Sequence, residues 1–274
     1  MDKLKYRKNC SLFYGFLKIG RGGIYIGDNT VLCGNVSGQQ ILSDIRHSRS
    51  LQISFKPRPV DMGVMAFLYH YIKGGMVGAE IDAGCGFYSI FLTSLVGPNG
   101  KIYSFEPIPE CYDLIVRNTQ MNDVHNVVPI KKMVLDGLKN VKQKYFDVNY
   151  EFSFSPPEGY LKKESIAEAT TLDEYLKVAE ETLLDFLIIN NEAELPLIWK
   201  GMSDTLDGSL DIKIVCKFNQ HSLKLHGHDP EAFLNQVTER KFKIYLVPTL
   251  EQVSKEKLLC TSVERTVVLS RNEL

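Results

Sequence analysis

The stretch EIDAGCGFY, residues 80–88, decides the fold of this chain. It leads from an apolar run, which predicts a buried strand over residues 77–83, through Gly-x-Gly into a predicted helix over residues 87–96. Glycine has no Cβ and tolerates positive φ, so the backbone at Gly84 and Gly86 can approach a bound molecule closely. This order of elements predicts a site for a nucleoside-containing ligand. The alternative is a turn in which glycine only bends the chain.

A carboxylate favours the ligand-binding interpretation. Glu106 follows the apolar run KIYSF, residues 101–105, and lies twenty residues after Gly86. An acid at the carboxyl end of the second strand, about 20 residues beyond such a loop, can accept hydrogen bonds from both hydroxyls of a ribose. The alternative for Glu106 is a charge at a helix N-terminus, since Pro107 and Pro109 open the next predicted helix.

Two details distinguish between kinds of nucleoside ligand. Asp82 stands two residues before the first glycine, and Ser89 takes the place of the third glycine in a dinucleotide fingerprint. Asp82 would repel a pyrophosphate, whereas S-adenosylmethionine has no phosphate and carries an ammonium and a sulfonium. The loop therefore predicts S-adenosylmethionine as the cofactor. A nicotinamide-dependent oxidoreductase is the weaker alternative.

Several side chains and backbone positions are candidates for contacts with this cofactor. The predicted binding residues are Asp82, Gly84, Cys85, Gly86, Tyr88, Glu106 and Asp136. The ring of Tyr88, at the start of the helix, can attract a sulfonium through a cation–π contact. Asp136, after the predicted third strand over residues 127–134, can accept a hydrogen bond from the adenine amino group, although Asp-Gly is also a common turn pair.

Composition limits the partners that we expect. The 274 residues carry a formal net charge of −1 and are 44% hydrophobic, so the charge gives no electrostatic case for nucleic acid, and a small-molecule acceptor fits better. The six cysteines include no Cys-x-x-Cys pair, which indicates neither a metal cluster nor a disulfide framework and predicts a cytoplasmic setting. No segment has the pattern of a signal peptide or a membrane span.

The patterning of the chain changes at about residue 58. Residues 1–57 alternate apolar and polar positions between frequent glycines and predict a β-rich N-terminal extension. In residues 58–274 helical and strand patterns alternate, which predicts an α/β fold with βαβ units and a parallel sheet of about seven strands. Residues 138–170 interrupt this alternation and predict an inserted hairpin near the ligand crevice.

These motifs together resemble the FkbM-type methyltransferases, a class I family that depends on S-adenosylmethionine. The segments that carry the resemblance are IDAGCGFYS (81–89), LVGPNGKIYSFEP (95–107), Arg117-Asn118 with Asn122, and TLDEY (171–175). The resemblance covers roughly residues 76–250. It implies a Rossmann-like sheet of seven strands, with helices on both faces, whose last strand is antiparallel. It also implies O-methylation of a hydroxyl, often on a sugar or natural-product scaffold.

The chain departs from the family pattern where the reaction would occur. The family's Asp-x-Glu-Gly after the fourth strand is NNEA here, residues 190–193, and its Glu-Phe after the fifth strand is Lys217-Phe218. Asn190 cannot take up a proton near neutral pH, although it can orient a hydroxyl. Glu192 is the remaining matched acid and the candidate base or positioning residue. A solvated carboxylate at a helix N-terminus is the alternative for Glu192.

Two functions therefore stay open. In the first, Glu192 and Asn190 serve methyl transfer to a small-molecule hydroxyl acceptor. In the second, Asn190 and Lys217 mark a methyltransferase fold that binds a ligand or a protein partner without turnover. The densest histidine cluster, His221 to His228, has no metal-ligand spacing and is more typical of a surface loop.

Overall fold

Helices and strands alternate along most of the chain in the computed structural model, which describes residues 23–36, 38–44, 59–146, 162–261 and 263–274. In chain order the elements are β1 (Ile24–Gly27), β2 (Thr30–Val36), β3 (Gln39–Asp44), α1 (Pro59–Tyr71), β4 (Val77–Ile81), α2 (Phe87–Val96), β5 (Lys101–Phe105), α3 (Pro109–Met121), β6 (Val127–Ile130), β7 (Met133–Val134), β8 (Lys139–Phe146), β9 (Lys162–Thr170), α4 (Leu172–Val178), β10 (Phe186–Ile189), α5 (Leu195–Lys200), α6 (Ser203–Gly208), β11 (Lys213–Phe218), α7 (Gln220–Leu225), α8 (Pro230–Glu239), β12 (Lys243–Leu246), β13 (Glu251–Val253), α9 (Lys255–Leu259) and β14 (Arg265–Ser270).

The main sheet defines the fold class. Its eight strands lie in the order β13-β12-β14-β11-β10-β4-β5-β6. The strands from β11 to β6 are parallel to one another, whereas β14 is antiparallel to both β11 and β12. The predicted Rossmann-like α/β sheet with an antiparallel last strand is confirmed. The short edge strand β13 makes the sheet wider than the seven strands expected.

The order of the strands indicates where a ligand crevice lies in the main sheet. The chain runs outward from β4 through β5 to β6 and later returns to fill the other side of β4 with β10 and β11. The direction of winding therefore reverses between β4 and β10. Open α/β sheets bind ligands at the carboxyl ends of the two strands that flank such a reversal. The glycine loop, residues 82–86, follows β4 directly at this position.

The alternation of side chains along the strands gives the main sheet two apolar faces. Phe186 and Ile188 pack in one cluster with Phe91 of α2, and the intervening Leu187 packs in a second cluster with Trp199 of α5. Gly78 of β4 leaves room for the ring of Phe186, because a Cβ at Gly78 would lie 2.1 Å from that ring. Both faces are covered, as a largely parallel sheet requires.

The predicted third strand over residues 127–134 is two separate strands in the structure, which corrects the prediction. β6 ends the main sheet, whereas β7 pairs with β9 in a three-stranded sheet ordered β7-β9-β8. The chain leaves the main sheet at Lys131 and Lys132, and Lys132 forms an ion pair with Glu168 of β9. Asp136 therefore follows a strand of the smaller sheet.

The segments that were predicted as additions to the main fold form their own strands. β1, β2 and β3 make an antiparallel sheet, and β8 pairs antiparallel with β9. The boundary predicted between residues 57 and 58 and the tip of the predicted hairpin lie outside the described residues, so both stay predictions. None of the helices in the described part of the chain has the length and apolarity that a bilayer crossing requires.

Asparagine side chains join β3 to α3. Asn118 accepts a hydrogen bond from the backbone N–H of Leu42 (2.7 Å) and donates one to its carbonyl (3.0 Å). Asn122, one helical turn later, makes the same pair of bonds with Gln40 (2.9 and 2.7 Å). The helix thus supplies the donors and acceptors that a neighbouring strand would otherwise provide. Asn118 also donates to the carbonyl of Cys85 (2.7 Å), which connects β3 to the glycine loop.

We expect Asn118→Ala to lower the free energy of unfolding by about 2–4 kcal/mol, because it leaves buried backbone groups of Leu42 and Cys85 without partners. The matched control is Asn122→Ala, which removes the same kind of pair at a more exposed position and should cost about 1 kcal/mol or less. Urea unfolding followed by circular dichroism measures both. Equal losses in the two variants would contradict this role of Asn118.

Candidate functional site

The loop after β4 has a backbone that only particular residues adopt easily. Gly84 and Gly86 have φ of 59° and 79°, and Asp82 has φ of 57°. Positive φ is uncommon for a residue with a side chain, so Asp82 marks a position that its surroundings hold in place. A Cβ on Gly86 would lie 3.3 Å from the side chain of Ile115 in α3. The two glycines therefore keep the loop tight and its backbone close to the crevice.

The carboxylate of Glu106 holds this loop from the neighbouring strand. Its Oε2 accepts a hydrogen bond from the N–H of Gly84 (2.7 Å), and its Oε1 accepts one from the N–H of Ile108 (2.8 Å). The side chain follows β5 and is 3% exposed. A carboxylate has about four lone-pair sites, so each oxygen retains capacity for a hydroxyl donor. The carboxylate of Glu106 thus joins the end of β5 to the loop and to the start of α3.

The charge of Glu106 is poorly compensated in this position. Burial raises the pKa of the Glu106 carboxyl well above its usual value, and the nearby charge of Asp82 raises it further. The hydrogen bonds from Ile108 and Gly84 act in the opposite direction and do not cancel these effects. A cation bound beside Glu106 and Asp82 would favour their ionised forms, whereas an anion would oppose them.

Two further residues of the predicted cofactor set point into the protein. Cys85 is 2% exposed and its Sγ lies 3.5 Å from the hydroxyl of Ser43, so its side chain packs against β3. Tyr88 is 4% exposed, packs edge-on against Phe87, and lines a small cavity together with residues of β10 and β11. The predicted contacts of Cys85 and Tyr88 with the cofactor stay predictions.

Asp136 does not follow a strand of the main sheet, as the sequence predicts. It follows β7 in the smaller sheet, and its Oδ2 accepts a hydrogen bond from Nζ of Lys200 at the end of α5 (3.1 Å). The corrected strand assignment removes the reason for placing Asp136 beside adenine. Its contact with adenine stays a prediction.

A buried polar network lies beneath the crevice. Glu80, the fourth of the five residues of β4, is 1% exposed and accepts hydrogen bonds from Ser89 (2.5 Å) and from the side-chain amide of Asn190 (3.1 Å). Ser89 also shares a hydrogen bond with Ser104 of β5 (2.6 Å). The network joins β4, β5, α2 and the end of β10. Asn190 is therefore oriented by a carboxylate, as a positioning residue would be.

A cavity of about 10 Å³ lies at the carboxyl ends of β10 and β11. Its polar lining comes from Asp61, Tyr88, Asn190, Lys217 and Thr266. Asp61 belongs to the first turn of α1, and Thr266 is paired with Lys217 across β14 and β11. Lys217 is 5% exposed, and its Nζ has no hydrogen-bond partner in the part of the chain that the structure describes.

Glu192, the other residue predicted to take part in catalysis, does not line this cavity. Glu192 is partly buried in the turn between β10 and α5, and the cavity is lined by Asn190 but not by Glu192. The histidines near β11 have local partners: Nδ1 of His226 lies 2.8 Å from the carbonyl of Ser222, and His228 lies 3.5 Å from Glu194. Glu192 as a base or positioning residue stays a prediction.

Sequence patterns alone missed part of the site. Glu80 and Asp61 are buried acids within apolar segments, and Thr266 comes from a strand near the C-terminus. The signal for Glu80 was its charge within the otherwise apolar strand VGAEI, since a buried carboxylate needs hydrogen-bond partners. Asp61 and Thr266 carried no local signal, because only the packing of α1 and β14 brings them to the cavity.

Comparison with known proteins gives short sequence matches. No family model matches the chain. Protein-L-isoaspartate O-methyltransferase from Methanothrix thermoacetophila is 38% identical over 56 residues, which are 20% of this chain and 27% of that protein. The enzyme of the same name from Methanococcoides burtonii is 37% identical over 59 residues, 22% of this chain and 29% of that protein. The chain thus spans less than a third of the length of these curated relatives.

Methyltransferases are also found among the solved structures that have a similar fold. One is an S-adenosylmethionine-dependent methyltransferase from Aquifex aeolicus, with 12% identity, a TM-score of 0.43, and coverage of 75% of this chain and 88% of that chain. Another is an rRNA methylase from Streptococcus thermophilus, with 14% identity, a TM-score of 0.45, and coverage of 78% and 96%. The strand order, with β14 antiparallel between β11 and β12, is that of the class I methyltransferase fold.

The predicted partner is wrong. The sequence indicated a small-molecule hydroxyl acceptor and no nucleic acid, whereas the two curated relatives are named for isoaspartate in proteins. The prediction relied on the net charge of −1, which is summed over the whole chain. A whole-chain sum does not describe the charge at one site, so it could not exclude a macromolecular acceptor.

We expect Glu106→Gln to flatten the dependence of stability on pH. The pKa of Glu106 in the folded protein lies above the ordinary value of 4.5, so the native state keeps a proton that the unfolded chain releases. The stability linked to this proton is present below the unfolded pKa and is lost as pH rises through the folded pKa. Urea unfolding from acid to neutral pH should show wild type losing stability relative to Glu106→Gln.

The control for this comparison is Glu110→Gln, which changes an acid in the first turn of α3. It should keep the pH dependence of wild type. Parallel curves for wild type and Glu106→Gln would show that Glu106 is ionised normally and would contradict the expectation.

Proposed function

We propose that this protein is a methyltransferase that binds S-adenosylmethionine at the glycine loop and Glu106. The observation that carries the proposal is the position of Glu106, a buried carboxylate held against the N–H of Gly84 at the carboxyl end of β5. A carboxylate placed there can accept hydrogen bonds from ribose hydroxyls. The class I methyltransferase fold and the short matches to two methyltransferases support the same function.

The charges of the loop support a cationic ligand. Burial and, after it, the nearby charge of Asp82 raise the pKa of Glu106, so a further anion would add to an unfavourable field. A pyrophosphate would be such an anion, whereas an ammonium or sulfonium would compensate the two acids. This argument disfavours a nicotinamide dinucleotide.

The acceptor side of the proposed site lies beyond the loop. S-adenosylmethionine supplies an electrophilic methyl group when it is bound, so the protein needs chiefly to align an acceptor and to exclude water. Tyr88 and Asn190 line the cavity there, and Asn190 is fixed by Glu80. We propose that Asn190 orients the acceptor. We propose that Glu192, in the nearby turn, acts as a positioning residue.

The finer assignments rest on the sequence. The FkbM-type affiliation is supported by Phe105-Glu106-Pro107 and by the Val-Gly-Pro-Asn-Gly-Lys turn, residues 96–101. A cytoplasmic location is supported by the free thiols of the five cysteines that the structure describes. Both stay predictions, and neither identifies the acceptor.

Asn190 and Lys217 favour one competing function. These residues stand where acids are expected from the resemblance, so a methyltransferase fold that binds its ligand without turnover is the second candidate. The two candidates agree on cofactor binding and differ in methyl transfer. Transfer of a radiolabelled methyl group to protein or RNA acceptors, with cofactor binding measured in parallel, separates them.

Calorimetric titration tests the cofactor. We expect wild type to bind S-adenosylmethionine and S-adenosylhomocysteine and to bind NAD at least about tenfold more weakly, because the pyrophosphate meets Asp82 and Glu106. Binding should strengthen as pH rises through the raised pKa of Glu106, since the ionised carboxylate accepts the ribose hydroxyls. Preferential binding of NAD would overturn the proposal.

A thermodynamic cycle that combines one mutation with one change in the ligand tests the ribose contact. Glu106→Ala should weaken binding of S-adenosylhomocysteine by about tenfold or more, because it removes charge-assisted hydrogen bonds. The loss also includes any loosening of the loop at Gly84. An analogue of S-adenosylhomocysteine without the 2′ and 3′ hydroxyls isolates the ribose contact, because Glu106→Ala should affect its binding much less. Glu110→Ala is the control for charge alone, and equal losses for both ligands would contradict the assignment.

A further inference from the structure

Two lysines on one face of β11 differ in a way that points to a ligand. Lys213 and Lys217 are each 5% exposed and are separated by four residues, so their side chains leave the strand on the same side. Nζ of Lys213 donates to the carbonyl of Asp211 (2.8 Å) and lies 5.2 Å from the centre of the Tyr71 ring. Nζ of Lys217 has no such partner among the described residues.

The surroundings of Lys217 make this difference costly. Taking an ammonium out of water costs several kcal/mol unless an anion or hydrogen bonds replace its hydration. The cavity at Lys217 offers the neutral groups of Tyr88, Asn190 and Thr266, but none is hydrogen-bonded to Nζ. Asp61 also lines the cavity, has interactions of its own, and does not hydrogen-bond to Lys217 either.

The place of the cavity connects Lys217 to the proposed reaction. Lys217 and Asn190 follow the aligned pair Cys216 and Ile189 of two adjacent parallel strands, at the crevice end of the sheet. Tyr88 connects the same cavity to the first turn of α2, directly after the glycine loop. The Lys217 ammonium, which has no hydrogen-bond partner among the described residues, therefore lies beside the residues that we assign to the acceptor.

We propose that this cavity receives a carboxylate of the methyl acceptor and that Lys217 is the residue that binds it. The inference rests on the proposed methyltransferase function and adds the chemical class of the acceptor. The cavity of about 10 Å³ holds roughly one water, so it admits only the tip of an acceptor in the present conformation and must widen to take the whole carboxylate. One carboxylate oxygen binds Nζ, and the other stays available for reaction.

A carboxylate acceptor also explains why the site lacks acids at two expected positions. One carboxylate oxygen forms the new C–O bond to the methyl carbon while the S–C bond breaks and its electron pair stays on sulfur. The carboxylate becomes a neutral methyl ester and the sulfonium becomes a neutral thioether, so charge balances and no proton moves. A hydroxyl acceptor would have to lose a proton to a base. Asn190 and Lys217 provide no carboxylate for that purpose, and a carboxylate acceptor needs none.

The test compares a carboxylate with its neutral isostere in protein saturated with S-adenosylhomocysteine. Acetate should raise the thermal midpoint of wild type, and acetamide should not. Lys217→Met should weaken acetate binding by about tenfold or more, Lys217→Arg should retain much of it, and the matched control Lys213→Met should leave it unchanged. Equal effects of acetate on wild type and Lys217→Met, or no effect on wild type, would overturn the proposal.

Stability separates a ligand-binding lysine from a structural one. Lys217→Met should be at least as stable as wild type, because it removes a buried charge that has no hydrogen bond within the described part of the chain. Lys213→Met should lose stability with its hydrogen bond. A large loss of stability in Lys217→Met would assign Lys217 a structural partner and would count against the proposal. Lys217→Arg keeps the charge, so acetate binding can still be measured if the methionine variant fails to fold.

The reaction itself provides the last arm of the test. With tritiated S-adenosylmethionine, a peptide that contains an isoaspartyl residue should yield a methyl ester that alkali cleaves to volatile methanol, and the corresponding amide peptide should yield none. Alkali-stable label on the amide peptide or on an RNA oligonucleotide, or RNA that displaces acetate from Lys217, would overturn the carboxylate assignment. Failure of S-adenosylmethionine to bind would instead overturn the proposed function on which the assignment rests.

Discussion

The buried carboxylate of Glu106 is the interaction on which the rest of the crevice depends. It receives the N–H groups of Gly84 and Ile108, so one side chain fixes the loop after β4 relative to the first turn of α3. This arrangement carries an electrostatic cost, because burial and Asp82 raise the pKa of Glu106. A site with this electrostatic cost favours a ligand that carries a positive charge and donates hydrogen bonds. S-adenosylmethionine meets both conditions.

The same loop is held from its other side by an amide. Asn118 is fully buried and joins the carbonyl of Cys85 to both backbone groups of Leu42. The sheet of β1, β2 and β3 is therefore connected to the glycine loop through one side chain of α3. A change in the packing of β3 would reach the loop through this contact, which gives the N-terminal strands a physical connection to the crevice.

The two ends of β11 show how one type of residue serves two purposes. Lys213, at the start of the strand, has a carbonyl and an aromatic ring as partners and fits a structural role. Lys217, at the crevice end, is equally buried and has no hydrogen-bond partner among the described residues. Proteins seldom bury an unpaired charge without a compensating group. The position of Lys217 beside Asn190 is consistent with an anionic acceptor as that group.

The sequence by itself determined the strand, the glycine turn, the helix and the alternation that follows, because periodicity and the conformational freedom of glycine are local properties of the chain. It also placed Glu106 correctly at the end of a strand beside the loop. Only the tertiary structure separated β6 from β7, paired Asp136 with Lys200 and left Lys217 without a hydrogen-bond partner among the described residues. These outcomes depend on which strands pair and which helices cover them. Such contacts join residues that are far apart in the chain, so local sequence patterns do not predict them.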